Sequence, residues 1–327
     1  MDFSIIRIGN VIMNVTDLEQ SRKFYVDALG FIETESDENN LYLRGLEEHN
    51  HHCLHLVKAD KPGIVALGYK VMRESDLEAL ERLFASRGLP TRWIPPGTLH
   101  AMGRALHVQD VSGLPLQFYA EMDKVERLLQ RYDLYTGARI QRIDHVNCFV
   151  SDVARAYDFF VNELGFACSE YTALEDDSLY AAWLHRKHNV HDQAFMNGPG
   201  PRLHHVGFWL PDPLALIHAC DVLASLGYQG SIERGPGRHG LSNAFFLYLR
   251  DPDGIRIELY NGDYLTSDPD LGPIKWDIHD PRRQTFWGSA TPESWFNEGT
   301  PFVDIETGEH AELLTAALPS RQPQHLI

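Results

Sequence analysis

Residues 24–31 read FYVDALGF, and residues 159–166 read FFVNELGF. The likeness continues outward from these octads. Asn14-Val15-Thr16-Asp17 precedes the first, and Phe149-Val150-Ser151-Asp152 precedes the second. A short hydroxyl or carboxylate side chain just ahead of an apolar-periodic run accepts free backbone N–H groups. Each copy therefore reads as a helix, capped by Thr16 or Asp17 in one and by Ser151 or Asp152 in the other. Strand-like alternation follows in both, at 40–43 and 178–183.

A second pair of segments repeats in the same way. LHVQDVSGLPLQFY at 106–119 matches LYLRDPDGIRIELY at 247–260, which aligns Asp110 and Gly113 with Asp251 and Gly254 as a turn between two strands. The preceding helices end alike, in ASRGL at 85–89 and ASLGY at 224–228. Internal repetition at this spacing implies a duplicated architecture. Four βαβββ-like modules are expected, near 5–57, 63–122, 140–197 and 201–262. They pair into an N-terminal domain over 1–122 and a C-terminal domain over 140–262. A linker at 123–139 joins them, with a short helix expected at 125–129. Residues 263–327, rich in Pro, Asp and Trp, are expected to wrap over the surface or a site. The fold class is α+β, because no glycine-rich dinucleotide fingerprint follows a strand.

The chain has 327 residues, 43% of them apolar, enough to build cores without cross-links. Its formal net charge of −17 excludes the basic face that nucleic acid or an anionic membrane demands. The four cysteines are scattered with no CxxC pair, which argues against a disulfide framework or zinc knuckle. MDFSIIRIGN shows no basic segment leading into an apolar one, and no apolar run reaches membrane-spanning length, so a cytoplasmic location is expected.

The halves differ where chemistry would sit. His145 in IDHVNCFV aligns with Asn10, His205 in LHHVGFWL falls near Gly68, and Glu258 in GIRIELY aligns with Gln117. Singly, each histidine reads as a hydrogen-bonded core residue. A carboxylate in an apolar strand is costlier to bury. Two imidazoles and one carboxylate at repeat-equivalent positions, replaced together in the other half, form the facial set that holds Fe(II) or Mn(II) with three positions open. Zinc hydrolysis is the competing chemistry for such a set, but no HExxH helix supplies it. His205 is preferred over His204 because successive strand residues face opposite sides. The histidines at 49, 51, 52 and 55 could bind a metal adventitiously, but a solvated turn is the expected reading, with His185 and His188 also solvated.

WLHRKHNVHD (183–192), GPRLHHV (200–206), ERGPGRHGLSNAFFLYLRDPDGIRIELY (233–260) and WDIHDPRR (276–283), in that order, resemble the vicinal oxygen chelate superfamily. Within it the chain resembles the 3,4-dihydroxyphenylacetate 2,3-dioxygenases, type I extradiol enzymes of aromatic catabolism. That resemblance implies His145, His205 and Glu258 as ligands of Fe(II) or Mn(II). It implies His191 as acid–base histidine, Asn147 and Trp183 on the dioxygen and substrate side, and Tyr248 and His239 as hydrogen-bonding groups near the catechol. Arg234, with Arg282 or Arg283 or both, would clamp the substrate carboxylate. The partners implied are a catechol and O2, the product 5-carboxymethyl-2-hydroxymuconate semialdehyde, and the assembly a homotetramer. A glyoxalase-like isomerase, a metal-dependent hydrolase or a ligand-sequestering module would share parts of this fold. The complete triad and a separate His191 favour the dioxygenase.

Overall fold

The computed structural model describes residues 2–268 and 270–320. Its strands form two sheets with one wiring pattern used twice. In the first, Ile5–Val15 and Gly63–Val71 lie antiparallel at the centre. Leu54–Lys58 and Pro115–Tyr119 flank them in parallel. In the second, Arg142–Val150 and Arg202–Trp209 take the central places, flanked by Gln193–Asn197 and Arg256–Asn261. The outer strands follow in matching order on both sides, so the repeat read from the octads is a repeat of topology. The fold is α+β, with the βαβββ pattern expected from the repeat.

Local chemistry explains each copy. Asp17 accepts from the backbone N–H of Glu19 and Gln20, and Asp152 from that of Arg155, so the carboxylates are the caps. Thr16 instead bonds Asp253 in the other half. Each helix widens into a π-helical stretch, Lys23–Ala28 or Phe159–Glu163, and stops at Gly30 or Gly165 with positive φ. The turn Asp110–Gly113 closes by Asp110 Oδ1 accepting from Ser112 and Leu114 N–H. Asp251 Oδ1 does the same for Asp253 and Ile255. Gly113 and Gly254 supply the positive φ that such a turn requires.

The linker departs from expectation. Residues 125–129 form no helix. Val125 N–H bonds the His49 carbonyl, Leu128 N–H the Leu46 carbonyl, and the Glu126 carbonyl accepts from Arg44. The backbone groups a helix would have paired internally are taken by a neighbouring segment, and Leu128 is buried there. The short helical turn lies later, at Tyr132–Leu134.

One apolar core runs through both sheets. Polar ties add to it: Tyr25 Oη donates to Asp251 over 2.8 Å, and Tyr69 Oη bonds Gln193 Oε1 over 2.7 Å. The tail is built in rather than loose. Ile274–Asp277 adds a parallel strand beside Ala167–Ala173, and Thr300–Pro301 pairs with Arg202 and Leu203. Trp295 and Phe296 are buried against the second sheet. Among the described residues, no helix is long and apolar enough to cross a membrane.

Replacing Asp17 or Asp152 with Ala should cost about 1 kcal/mol of unfolding free energy each, the usual worth of an N-cap, measured by urea titration. Ser151→Ala should change stability by less than about 0.5 kcal/mol. Equal losses at Ser151 and Asp152 would show the cap to be wrongly placed.

Candidate metal centre

Three neighbouring strands each send one donor to a common point. His145 lies on Arg142–Val150, His205 on Arg202–Trp209 and Glu258 on Arg256–Asn261. Gly207 pairs with His145 on one side and with Glu258 on the other. A Cβ at Gly207 would run into the His145 imidazole. The missing side chain is what lets that ring lie across the middle strand toward Glu258.

Glu258 Oε2 is 2.7 Å from His145 Nε2 and 3.1 Å from His205 Nε2, and the two nitrogens are 3.3 Å apart. A cation about 2.1 Å from three donors at right angles keeps them about 3.0 Å apart, so the triangle fits a facial site. All three residues are buried, and Glu258 Oε1 has no hydrogen-bond partner among the described residues. Outer groups hold the ligands in place. His145 Nδ1 bonds Asp144 over 2.9 Å, and His205 Nδ1 meets His204 Nδ1 at 2.6 Å. Burial opposes charge on His145, but hydrogen bonds to Asp144 and Glu258 outweigh it and raise its pKa to about 9. Burial dominates at His205 and lowers it to about 4, while both imidazoles hold Glu258 ionised against its own burial.

A cavity opens beside the triad. His191 lines it, its ring 4.0 Å from that of His145 and its buried Nδ1 without a partner. Burial, then the nearby His145, pushes the His191 pKa well down. Asn147, Trp183, Tyr248 and His239 line the same space. His239 Nδ1 donates to the Gln284 carbonyl, so in the neutral ring Nε2 accepts from Tyr248 Oη at 2.9 Å. Burial and Arg234 keep that ring neutral, with a pKa of about 3. Arg283 also faces the cavity.

Residues 142–259 match the glyoxalase/bleomycin resistance protein/dioxygenase superfamily, and 66–123 match a catechol 2,3-dioxygenase-like N-terminal domain. A manganese-dependent 2,3-dihydroxybiphenyl 1,2-dioxygenase of Geobacillus genomosp. 3 is 30% identical, over 88% of this chain and 95% of that protein. Homoprotocatechuate 2,3-dioxygenase of Brevibacterium fuscum, solved with 3,4-dihydroxyphenylacetate, superposes at a TM-score of 0.93. It is 41% identical, over 95% of this chain and 97% of that one. The Arthrobacter globiformis enzyme gives 0.93 at 42% identity, over 95% and 96%. The chain belongs to the vicinal oxygen chelate extradiol dioxygenases.

These dioxygenases depend on Fe(II) or Mn(II), and the buried His–His–Glu set suits either. Several expectations change in detail. The partner of His205 in the first sheet is Ala66, because Ile12 pairs with Ala66 as Asn147 pairs with His205. Gly68 corresponds to Gly207. His204 and His205 do not face opposite sides. A bulge between Leu203 and His205 brings both buried rings together, and His204 turns its Nε2 to the Trp295 carbonyl. Of the two tail arginines, Arg283 is buried, whereas the Arg282 side chain is 61% exposed and paired with Asp280. Arg234 is buried but does not line the cavity. Its Nη2 bonds the Gln284 carbonyl and Thr285 Oγ1, and its guanidinium lies 4.5 Å from the Trp295 ring centroid. His185 is buried against the Lys187 carbonyl and Thr266, while His188 is exposed. His51, His52 and His55 are buried too, so no solvated turn holds them.

Sequence reading missed Asp144, Gln284 and Trp295. The Asp-His pair at 144–145 carried a signal for the first. The other two come from the tail, where no periodicity or repeat places a side chain.

Gly207→Ala should lower metal affinity by about 10- to 100-fold, the usual effect of displacing a ligand's support. Gly68→Ala, at the corresponding cradle, should leave metal content unchanged. Full metal occupancy in folded Gly207→Ala protein would refute this account of the cradle.

Proposed function

We propose that this dioxygenase opens the ring of 3,4-dihydroxyphenylacetate beside its hydroxyls. Both atoms of O2 enter the product, 5-carboxymethyl-2-hydroxymuconate semialdehyde. The observation that carries the choice of substrate is Arg283. It is buried on the cavity wall with Nε and Nη2 unpaired among the described residues, and burial lowers its pKa only to about 10, so it remains a cation. A buried guanidinium with free donors is costly, and a carboxylate supplies the charge-assisted bonds it lacks. The solved relatives at 41% and 42% identity are homoprotocatechuate enzymes, one holding 3,4-dihydroxyphenylacetate. Relatives near 30% carry the names of other catechols.

In this reading His145, His205 and Glu258 hold the metal. When bound, Fe(II) or Mn(II) supplies a Lewis-acid centre that acidifies a catechol hydroxyl and brings O2 beside the ring. The protein supplies the rest. Tyr248 donates its own proton to His239, so its oxygen turns lone pairs to the cavity and accepts from a catechol hydroxyl. His191, with Nδ1 free, takes up a substrate proton and returns it to a substrate oxygen as the ring opens. Asn147 and Trp183 wall the opposite side and exclude water. Arg234 acts from behind, gripping Gln284 and Thr285 so that the tail presents Arg283.

The test is the ratio of kcat/KM for 3,4-dihydroxyphenylacetate to that for 4-methylcatechol, which lacks the carboxylate. Wild type should favour the acid, and Arg283→Ala should shrink the ratio by roughly 10- to 150-fold. That range corresponds to about 1.5–3 kcal/mol of charge-assisted bonding. Arg282→Ala should leave it unchanged. Indifference in wild type would make a neutral catechol the better substrate. His191→Ala should keep its metal yet turn over about 10²–10⁴-fold more slowly. Wild-type turnover in that variant would remove His191 from the proton path.

A further inference from the structure

The first sheet carries a second convergence of nitrogen and oxygen donors, unrelated to the catalytic cavity. Glu35 is the penultimate residue of the strand Ile32–Ser36, His51 lies in the loop before Leu54–Lys58, and His100 lies in the loop between Thr91–Ile94 and Ala105–Gln109. Glu35 Oε2 is 2.8 Å from His100 Nε2 and 3.4 Å from His51 Nε2. All three donor atoms lie within 4.8 Å of one another. The His51 and His100 rings stand 5.1 Å apart at 76°.

We infer that Glu35, His51 and His100 form a second divalent-cation site, of the zinc class, at the edge of the N-terminal sheet. Donors about 2.1 Å from a tetrahedral cation stand about 3.4 Å apart; the Glu35–His51 separation of 3.4 Å matches that edge, and the exposed Glu35–His100 pair, hydrogen-bonded at 2.8 Å, would part slightly to admit the cation. The outer groups match what a ligating histidine needs. His51 Nδ1 meets His52 Nδ1 at 3.1 Å, which leaves Nε2 free for the cation when Nδ1 donates. Tyr42 backs the cluster, 5.6 Å from the His51 ring and 5.0 Å from that of His100.

Two features select the cation and set its access. Two imidazoles and a single carboxylate suit Zn2+ and its neighbours rather than Mg2+ or Ca2+, which prefer all-oxygen shells. His51 is buried, but Glu35 and His100 are exposed, so a cation can enter from solvent without opening the core. The three ligands come from segments far apart in the chain. A bound cation would therefore cross-link an edge strand to two loops. At zinc a hundredfold above its dissociation constant, the folded-to-unfolded ratio would rise about 100-fold.

The experiment uses the holoenzyme with its active-centre Fe(II) or Mn(II) in place, dialysed against ZnCl2 at neutral pH and analysed for all metals. Wild type should gain about one zinc per chain beyond the active-centre metal, with a rise in its unfolding midpoint. His100→Ala and Glu35→Gln, both at exposed positions, should lose that zinc at least tenfold in affinity. They should keep active-centre metal and kcat. A total of one metal per chain in wild type, whether zinc is absent or has only displaced the iron or manganese, would overturn the site. So would zinc binding in both variants equal to wild type.

Discussion

The active centre depends on a place where the central strand has no side chain. His145 and Glu258 sit on strands that are not neighbours, and Arg202–Trp209 runs between them. Their side chains meet only because Gly207 leaves room above the sheet, and His205 arrives from the same middle strand two residues earlier. Strand pairing is rigid, so the ligands are preorganised by backbone hydrogen bonds instead of by flexible loops. The arrangement is costly without a cation. A fully buried carboxylate sits against two imidazoles with one oxygen unpaired, and desolvating such charges costs several kcal/mol per ion. A divalent metal satisfies all of these groups together.

The surroundings resolve a conflict of charge. At −17 overall, the protein repels an anionic catechol from a distance. Salt confines that repulsion to about 8 Å, and on the proposed reading Arg283 on the cavity wall, backed by Arg234, acts within that distance. Among the described residues neither guanidinium has a carboxylate partner, while Arg256 and Arg250 are paired with Glu233 nearby. The tail delivers Arg283, and Trp295 packs between the Arg234 guanidinium and the His204–His205 pair. On the proposed reading, substrate recognition and the support of His205 would be joined through one segment of the tail.

Much of this was legible in the chain. The octads at 24–31 and 159–166 exposed the duplication, and turns at Asp110 and Asp251 fixed which strands correspond. The triad followed from comparing equivalent positions. What failed were features set by tertiary pairing. Bulges beside Asn10 and between Leu203 and His205 shift the register, so a linear alignment gave His205 the wrong partner and His204 the wrong face. Residues 125–129 had helical composition, but their N–H groups found carbonyls in the 46–49 segment. Choosing Arg283 over Arg282 required the turn at Asp280, which no local pattern specified. The histidines at 51–55 looked polar enough for solvent, yet their rings stack around Tyr42.

The first sheet shows what duplication keeps when catalysis is dropped. Gly68 still sits between Asn10 and Gln117, and a Cβ there would strike the Asn10 side chain as one at Gly207 would strike His145. The cradle persists, but neutral amides and Ala66 replace the ligands. Gln117 is absorbed by His107 at 2.7 Å and by Met102, so no cation is needed to complete it. The backbone geometry that gathers three donors in one half serves the other half as packing. At the cradle itself the difference between the two halves comes down to three side chains on matching strands. Comparing the halves singles out His145, His205 and Glu258 because the shared strands cancel, and the structure brings those three donors together.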